Sequence, residues 1–371
     1  MALNRNGSPE GSISKKIVTT KGDLITATAN AIPSRLAAGS DGDTLVADSA
    51  ATVGLRYSAI PSASNPIINS AFDIWQRGTS STTTGGYAAD RWYAANNANS
   101  TYSRQTTGDT TNLPSIQFCA RLARNSGATS TDGTNFIYNF ESTDSIPFAG
   151  KTVTLSFYAR KGANLSSDFN VYLHTGTGTD QNYWTGFTGS ATPINSGNIA
   201  STLTTSWVRY SYTGTVASTA TQLAIQIFKA NAGTAGAADY VEVTGVMVNI
   251  GSVALPYRRN SGTLQGELAA AMRYYYKVTN PFAVSVNQSA TQTSFVLPYP
   301  VEMRVAPTAT YSAASTFYIA SNSSGGATAV ATNTAKTFQL AVNLTTSGQT
   351  AFNAGFISNN GTSTIEVSAE L

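Results

Sequence analysis

Between about residues 67 and 258 the chain alternates apolar and polar positions in short runs separated by Gly, Thr and Asn turns. In residues 151–160, Val153, Leu155 and Phe157 alternate with polar neighbours, and residues 222–228 and 240–248 repeat the pattern. Residues 206–213 place Trp207, Arg209 and Ser211 on one side and Val208, Tyr210 and Tyr212 on the other. A period of two is that of a strand with one buried face, and several such runs at turn spacing predict a jelly-roll-like β-sandwich. The spacing then changes. Leu264, Leu268, Met272 and Tyr275 fall on one helical stripe with Glu267 in the first turn, which predicts a helix over residues 263–277, inside a linking segment 259–280. After Pro281 strand-like runs return around Phe282-Val284-Val286, 294–298, 317–319, 337–342, 354–357 and 363–367, predicting a second small C-terminal β-sandwich over 281–371. Residues 1–66 carry almost no large apolar residues. With short apolar pairs such as Leu24-Ile25 between Gly/Asp turns, they read either as an extended tether of short strands wound around sister chains or as a flexible linker. The expected class is therefore mainly β.

Composition sharpens this picture. The chain has 371 residues, 41% hydrophobic but only 11% charged, less than half of the usual share of about 25%. A polar, nearly uncharged surface suits tightly associated β-structure in a stable assembly better than a disordered tail. The net charge is +3 and the basic residues are scattered, with short pairs such as Lys15-Lys16 and Arg258-Arg259, so no stripe tracks phosphates and no nucleic-acid partner is expected. The single cysteine, Cys119, cannot form an intrachain disulfide or a thiolate cage, and the single histidine, His174, cannot build a multi-histidine metal site. Gly176 and Gly178 lack the Lys-Ser/Thr ending of a phosphate loop. No metal and no cofactor are expected. No run reaches the roughly 18 apolar residues of a spanning helix, and residues 1–16 lack an apolar signal core, so the expectation is synthesis in the cytoplasm without membrane insertion.

Four groups of residues are candidates for chemistry. Residues 174–187 set Asp180, Asn182, Tyr183 and Trp184 among turn residues and amides, a mixture that fits sugars. An aromatic ring stacks on the apolar C–H face of a pyranose while Asp and Asn bond its hydroxyls; the alternative is that Tyr183 and Trp184 belong to a strand packing inward. Trp75, Arg77, Asp90, Arg91 and Trp92 read as scaffold, with both tryptophans in a core and Asp90 forked onto Arg77 or Arg91. Tyr274, Tyr275 and Tyr276 read as packing between domains. Glycoside hydrolysis needs two facing acids, and nothing in the spacing of Asp168, Asp180, Asp239 and Glu242 demands such a pair, so no enzyme is expected.

Residues 21–57, the motif Asn69, Phe72-Asp73-Ile74-Trp75-Gln76-Arg77-Gly78 with Ala89-Asp90-Arg91-Trp92, and residues 248–276 with Pro256-Tyr257, Arg259, Glu267-Leu268-Ala269 and Arg273-Tyr274-Tyr275 together resemble bacteriophage tail-fibre and virion appendage proteins with a carbohydrate-binding-module-like β-sandwich. Residues 297–308 resemble the start of the C-terminal β domain of the same proteins; the family often has Cys where this chain has Ala271. The resemblance implies a virion protein, expected as a homotrimeric tail fibre or fibre tip. It would attach to other virion proteins through residues 1–66 and bind a host cell-surface glycan. The alternatives are a capsid decoration or head-fibre protein without a receptor and a polysaccharide depolymerase.

Overall fold

The computed structural model describes residues 16–30, 32–39, 43–59, 65–95, 99–321, 324–359 and 361–371. Residues 1–15 of the expected tether, with Lys15, lie outside the described residues. The described residues of that segment form two hairpins, β1 (Leu24–Ala29) with β2 (Ile32–Leu36) and β3 (Asp43–Ala47) with β4 (Leu55–Ala59). They expose Val18, Ile25, Ile32 and Leu45. A lone two-stranded hairpin is marginal in water, so these apolar residues await further packing.

The first sandwich contains β5 (Ser80–Ser81), β6 (Gly86–Tyr87), β7 (Trp92–Ala95), β8 (Ser100–Thr106), β9 (Phe118–Arg124) and β10 (Thr134–Asn139). A single-turn α1 (Ser142–Ser145) separates them from β11 (Thr152–Lys161), β12 (Asp168–Gly176), β13 (Ala191–Asn195), β14 (Val208–Thr215), β15 (Gln222–Ala230) and β16 (Tyr240–Ile250). These strands make two six-stranded sheets, in the orders β13-β12-β15-β10-β7-β6 and β14-β11-β16-β9-β8-β5. The crossing connections are those of a jelly-roll-like sandwich. Alternation decides which side chains meet between the sheets: Phe136 and Tyr138 of β10, Phe169, Val171 and Leu173 of β12, and Val153, Leu155 and Phe157 of β11 all enter one core. At Gly245 β16 bulges against β11, with φ at 58°, and an added Cβ would meet Tyr158 and Ile116. Only glycine fits both demands.

Trp75 and Trp92 lie in this core, Trp92 with no exposure, ringed by Phe72, Phe136 and Tyr138. Their indole N–H groups donate to the Phe72 and Asn69 carbonyls. Buried indoles need such partners, and Phe72 and Asn69 supply them from the turn where φ is positive.

Helix α2 (Leu264–Met272) is shorter than its expected span, because Tyr275 already begins a strand. The expected apolar stripe is buried only in part, through Leu268 and Tyr275. Leu264 is exposed, whereas Glu267 and Ala271 are buried. The helix docks through the Glu267 carboxylate, which accepts from the Asn69 amide at 2.9 Å and from Arg259 at 3.2 Å. Thr263 caps its N-terminus by accepting from the Gly266 amide.

The C-terminal unit comprises β17 (Tyr275–Thr279), β18 (Ala283–Ser289), β19 (Gln292–Pro298), β20 (Thr308–Tyr311), β21 (Phe317–Ala320), β22 (Gly325–Gly326), β23 (Ala329–Ala335), β24 (Gln339–Thr345), β25 (Ala354–Asn359) and β26 (Thr364–Ser368). A three-stranded sheet, β17-β26-β20, and a seven-stranded sheet, β22-β21-β25-β18-β19-β24-β23, enclose a core of Phe295, Phe317, Ile319, Leu340, Val342 and Ile365.

The residues after β26 lock this unit to the first sandwich. The Glu370 carboxylate accepts from Arg91 at 2.5 Å and Arg77 at 3.3 Å, all three groups being largely buried. The Arg91 guanidinium lies 3.6 Å over the Tyr274 ring and that of Arg77 3.5 Å over Tyr275. Arg304 donates to the Ala369 and Glu370 carbonyls. The two motif arginines thus clamp the second unit, and Asp90 lies 3.9 Å from Arg77 while accepting twice from Gln76. Burial pushes the Asp90 carboxyl up to about 6, against Arg77 and Gln76, which hold it down. Glu370→Ala leaves the buried Arg91 guanidinium without its carboxylate and Arg77 with Asp90 alone, and is expected to cost about 3 kcal/mol. Calorimetry will read the loss as a split of one thermal transition into two.

Candidate functional site

Strands β12, β15, β10 and β7 turn their second set of side chains away from the core, and these build an aromatic and amide surface. On β12 the outward residues are Asn170, Tyr172 and His174, because Phe169, Val171 and Leu173 take the inward positions. His174 bonds Gln226 of β15 through Nε2 at 2.8 Å and Thr192 through Nδ1 at 3.0 Å. Gln226 in turn donates to Asn135 Oδ1 of β10 at 2.7 Å. A chain of three side chains therefore crosses three adjacent strands.

The loop from β12 to β13 folds over this surface. Tyr183 stacks on His174 with ring centroids 4.0 Å apart and 11° between planes, and His174 stacks on Tyr172 at 5.4 Å. Phe187 meets Tyr183 edge-on and joins Ile137 and Ala224 in a small apolar cluster on this outer face, with Tyr93 packed against it. Residues 183–185 form a single 3-10 turn, capped by Asn182 Oδ1, which accepts from the Trp184 amide at 2.9 Å. Tyr183 is anchored by its own amide, which donates to Asn139 Oδ1. Trp184 stays 48% exposed beside it.

Of the four residues expected to contact a ligand, Tyr183 and Trp184 therefore lie on this outer surface and neither enters the sandwich core. Asp180 and Asn182 have structural duties. Asp180, at φ 48°, accepts from the Ser142 amide, donates through its own amide to the Ser142 hydroxyl oxygen and lies 3.6 Å from Arg304. Asn182 Nδ2 donates to the Leu371 carbonyl, as does the Tyr87 hydroxyl. The loop is thus pinned near its start, through Asp180 to α1 and through Asn182 to the residues after β26. Tyr172, Gln226 and Asn135 were missed in the sequence; the signal was the polar alternation of residues 170–174, which reads as an ordinary solvent face until the register of β12 on β15 is known.

Burial lowers the His174 pKa to about 4, against the Gln226 bond that raises it. A depressed histidine contributes stability that is present above its ordinary pKa and is lost as pH falls through the folded value. The loss spans about pH 6.5 to about pH 4 and amounts to at most about 3 kcal/mol. Asp90 takes up its proton near the same range with the opposite sign, so the comparison must be with His174→Gln. That variant is expected to show a flatter fall of unfolding free energy over this interval.

The four acids singled out for hydrolysis are each engaged: Asp168 with Asn198, Asp180 with Ser142 and Arg304, Asp239 with Arg124 and Lys229, and Glu242 with Arg121 and Arg160. Among the described residues no group of three His, Cys, Asp or Glu is placed to hold a metal ion. No helix among them is long and apolar enough to cross a membrane, which leaves β-barrels unaddressed.

No family model and no curated protein matches the chain. Solved structures similar to it include the enzymatically active domain of tailspike protein 4 from bacteriophage CBA120, at 12% identity and a TM-score of 0.33, covering 52% of this chain and 22% of that one. A Stig cyclase from Fischerella sp. TAU is similar at 11% identity and a TM-score of 0.36, over 52% of this chain and 98% of its own. The CBM22-1 xylan-binding domain of Paenibacillus barcinonensis Xyn10C is similar at 11% identity and a TM-score of 0.28, over 47% of this chain and 94% of its own. The chain thus spans about a fifth of the tailspike domain's length.

Proposed function

We propose that the chain is a structural protein of a bacteriophage virion, a homotrimeric tail fibre or fibre tip. In this reading its first sandwich binds host surface glycans without catalysis. The observation that carries the reading is the pair of neighbouring aromatics Tyr183 and Trp184, held on a pinned loop above a cross-strand row of His174, Gln226 and Asn135. Rigid aromatic faces beside amides suit the mixed apolar and hydroxyl surface of a pyranose. Each such site is weak, and three copies on one fibre raise avidity without new contacts.

Tryptophan fluorescence tests this directly, since Trp75, Trp92 and Trp207 are buried and Trp184 is the exposed one of the four. Oligosaccharides cut from bacterial O-antigens and capsules are titrated into the protein with acrylamide present. Protection of the quenchable tryptophan by a subset of them is the expected result. A complete panel that leaves Trp184 as quenchable as before would remove the glycan from this surface.

A further inference from the structure

Strand β18 is built inside out. Its period-two pattern buries Ser285 and Asn287, both about 1% exposed or less, and turns Val284, 66% exposed, and Val286, 41% exposed, to the surface. Asn287 is satisfied where it is buried: its Nδ2 donates to Gln349 Oε1, and its Oδ1 accepts from Thr293. A soluble sheet with one solvated face shows the reverse order, polar out and apolar in. The neighbours extend the apolar surface. Phe356 of β25 pairs with Val284 and stacks on exposed Phe282 at 5.4 Å, and Val296 of β19 stands beside them. Phe282, Val284, Val286 and Val296 line a groove of 640 Å³ on the outer face of the seven-stranded sheet.

This face is free of charge. Residues 281–371 contain only Glu302, Arg304, Lys336, Glu366 and Glu370 as charged residues, and none occupies an outward position on β18, β19, β24 or β25. Beside the groove stands a protrusion. Phe352 is 83% exposed and held at φ 63°, its amide donating to the Asn287 carbonyl at 2.7 Å. A bulky residue at positive φ is strained, and an exposed phenyl ring offers nothing within the one chain to offset that strain. The same molecule thus carries an apolar knob on a strained, fixed backbone and an uncharged apolar hole.

We infer that the outer face of the seven-stranded sheet is buried against a second copy of this chain, with Phe352 of one copy seated in the groove of the next. Repeated in one rotational sense, knob into the next copy's hole, the contact is head-to-tail, and head-to-tail contacts that close make rings. The order of three rests on the fibre reading above, whereas the contact itself does not and holds for a chain that binds no glycan. A second copy fits better than a charged or polar partner, because a charged group placed on this face would lose its water without gaining a counter-ion.

The test uses the full chain. Light-scattering mass is measured for the wild type, for Val284→Lys and for Phe352→Ser, with far-UV circular dichroism on each. Val284 and Phe352 point to solvent, so the chains fold and the mass falls from that of an oligomer to that of one chain. In a second arm, Phe352→Cys is combined with Val296→Cys, and mild oxidation is expected to give disulfide-linked chains of two or more copies; native Cys119 is buried and does not compete. A wild-type chain that is a monomer at all concentrations overturns the inference. So does an oligomer whose mass survives both substitutions and whose cysteine pair never links chains. If Val284→Lys misfolds, the cysteine pair alone decides.

Discussion

Arg124→Met is expected to destabilise the first sandwich by about 4 kcal/mol, the cost of removing one partner from a buried ionic network. The Arg124 guanidinium is 1% exposed and lies 3.1 Å from Asp239, which also holds wholly buried Lys229 at 3.0 Å. It further donates to the carbonyls of Ala128, Ser130, Ala232 and Gly233 and to the Ser166 hydroxyl. One planar fork therefore reinforces the junction of the 125–133 and 231–238 loops, which are also joined by the Gly127 and Ala235 amides. Methionine keeps the apolar stem but takes the guanidinium donors from the Ser130 and Gly233 carbonyls and leaves Asp239 with the Ser166 hydroxyl and Lys229, whose pKa burial already lowers to about 8. Urea unfolding monitored by circular dichroism measures the change. Arg124→Lys recovers only part of it, because an ammonium cannot span acceptors spread around a guanidinium. A loss below about 1 kcal/mol for Arg124→Met would mean that the loops are held by something else.

The second large effect is on binding. Tyr183→Ala removes the ring that stacks on His174 and undermines the loop that carries Trp184, and Trp184→Ala removes the exposed indole itself. Loss of one aromatic contact is worth roughly 1 kcal/mol, about fivefold in affinity, at a single site. In a fibre with three sites engaged together the factors multiply, and the apparent affinity for a multivalent surface is expected to fall about a hundredfold. Monovalent oligosaccharide and immobilised polysaccharide, compared by surface plasmon resonance, separate the two numbers. Equal losses in both formats would contradict multivalent engagement while leaving the single site intact. His174→Gln belongs in the same series, since it keeps a hydrogen-bonding group beside Gln226 but removes the stacking ring.

The sequence made the strands visible because alternation survives in nearly every one: Val153, Leu155 and Phe157 face the core as read, and Trp75 and Trp92 fill it. Alternation alone does not say which sheet a strand joins, so the outward row Tyr172, His174, Gln226 and Asn135 looked like ordinary polar surface until register aligned it across β12, β15 and β10. The helix was overextended because Tyr275 continues the spacing of Leu268 and Met272, while the pairing of Tyr275 with Ser368 on β26, a contact 93 residues away, draws the chain into a strand. Partners at such separation are also why the sequence pairs Asp90 with Arg77 or Arg91 and does not show Glu370, which holds both arginines while Asp90 stands by Arg77. The loop residues Asp180 and Asn182 were legible as polar and adjacent to aromatics. Their engagement with Ser142, Arg304 and Leu371 was not, since each partner lies on a different element.

Adsorption of the purified full-length chain to whole bacterial cells, before and after periodate oxidation of their surface glycans, tests the central claim most directly, with Trp184→Ala as the paired control. Periodate attacks vicinal diols and leaves surface protein largely intact. Binding that is lost on periodate treatment and reduced about a hundredfold by Trp184→Ala is the expected result. Binding that survives periodate and is indifferent to Trp184 would contradict a glycan contact on this face of the sandwich.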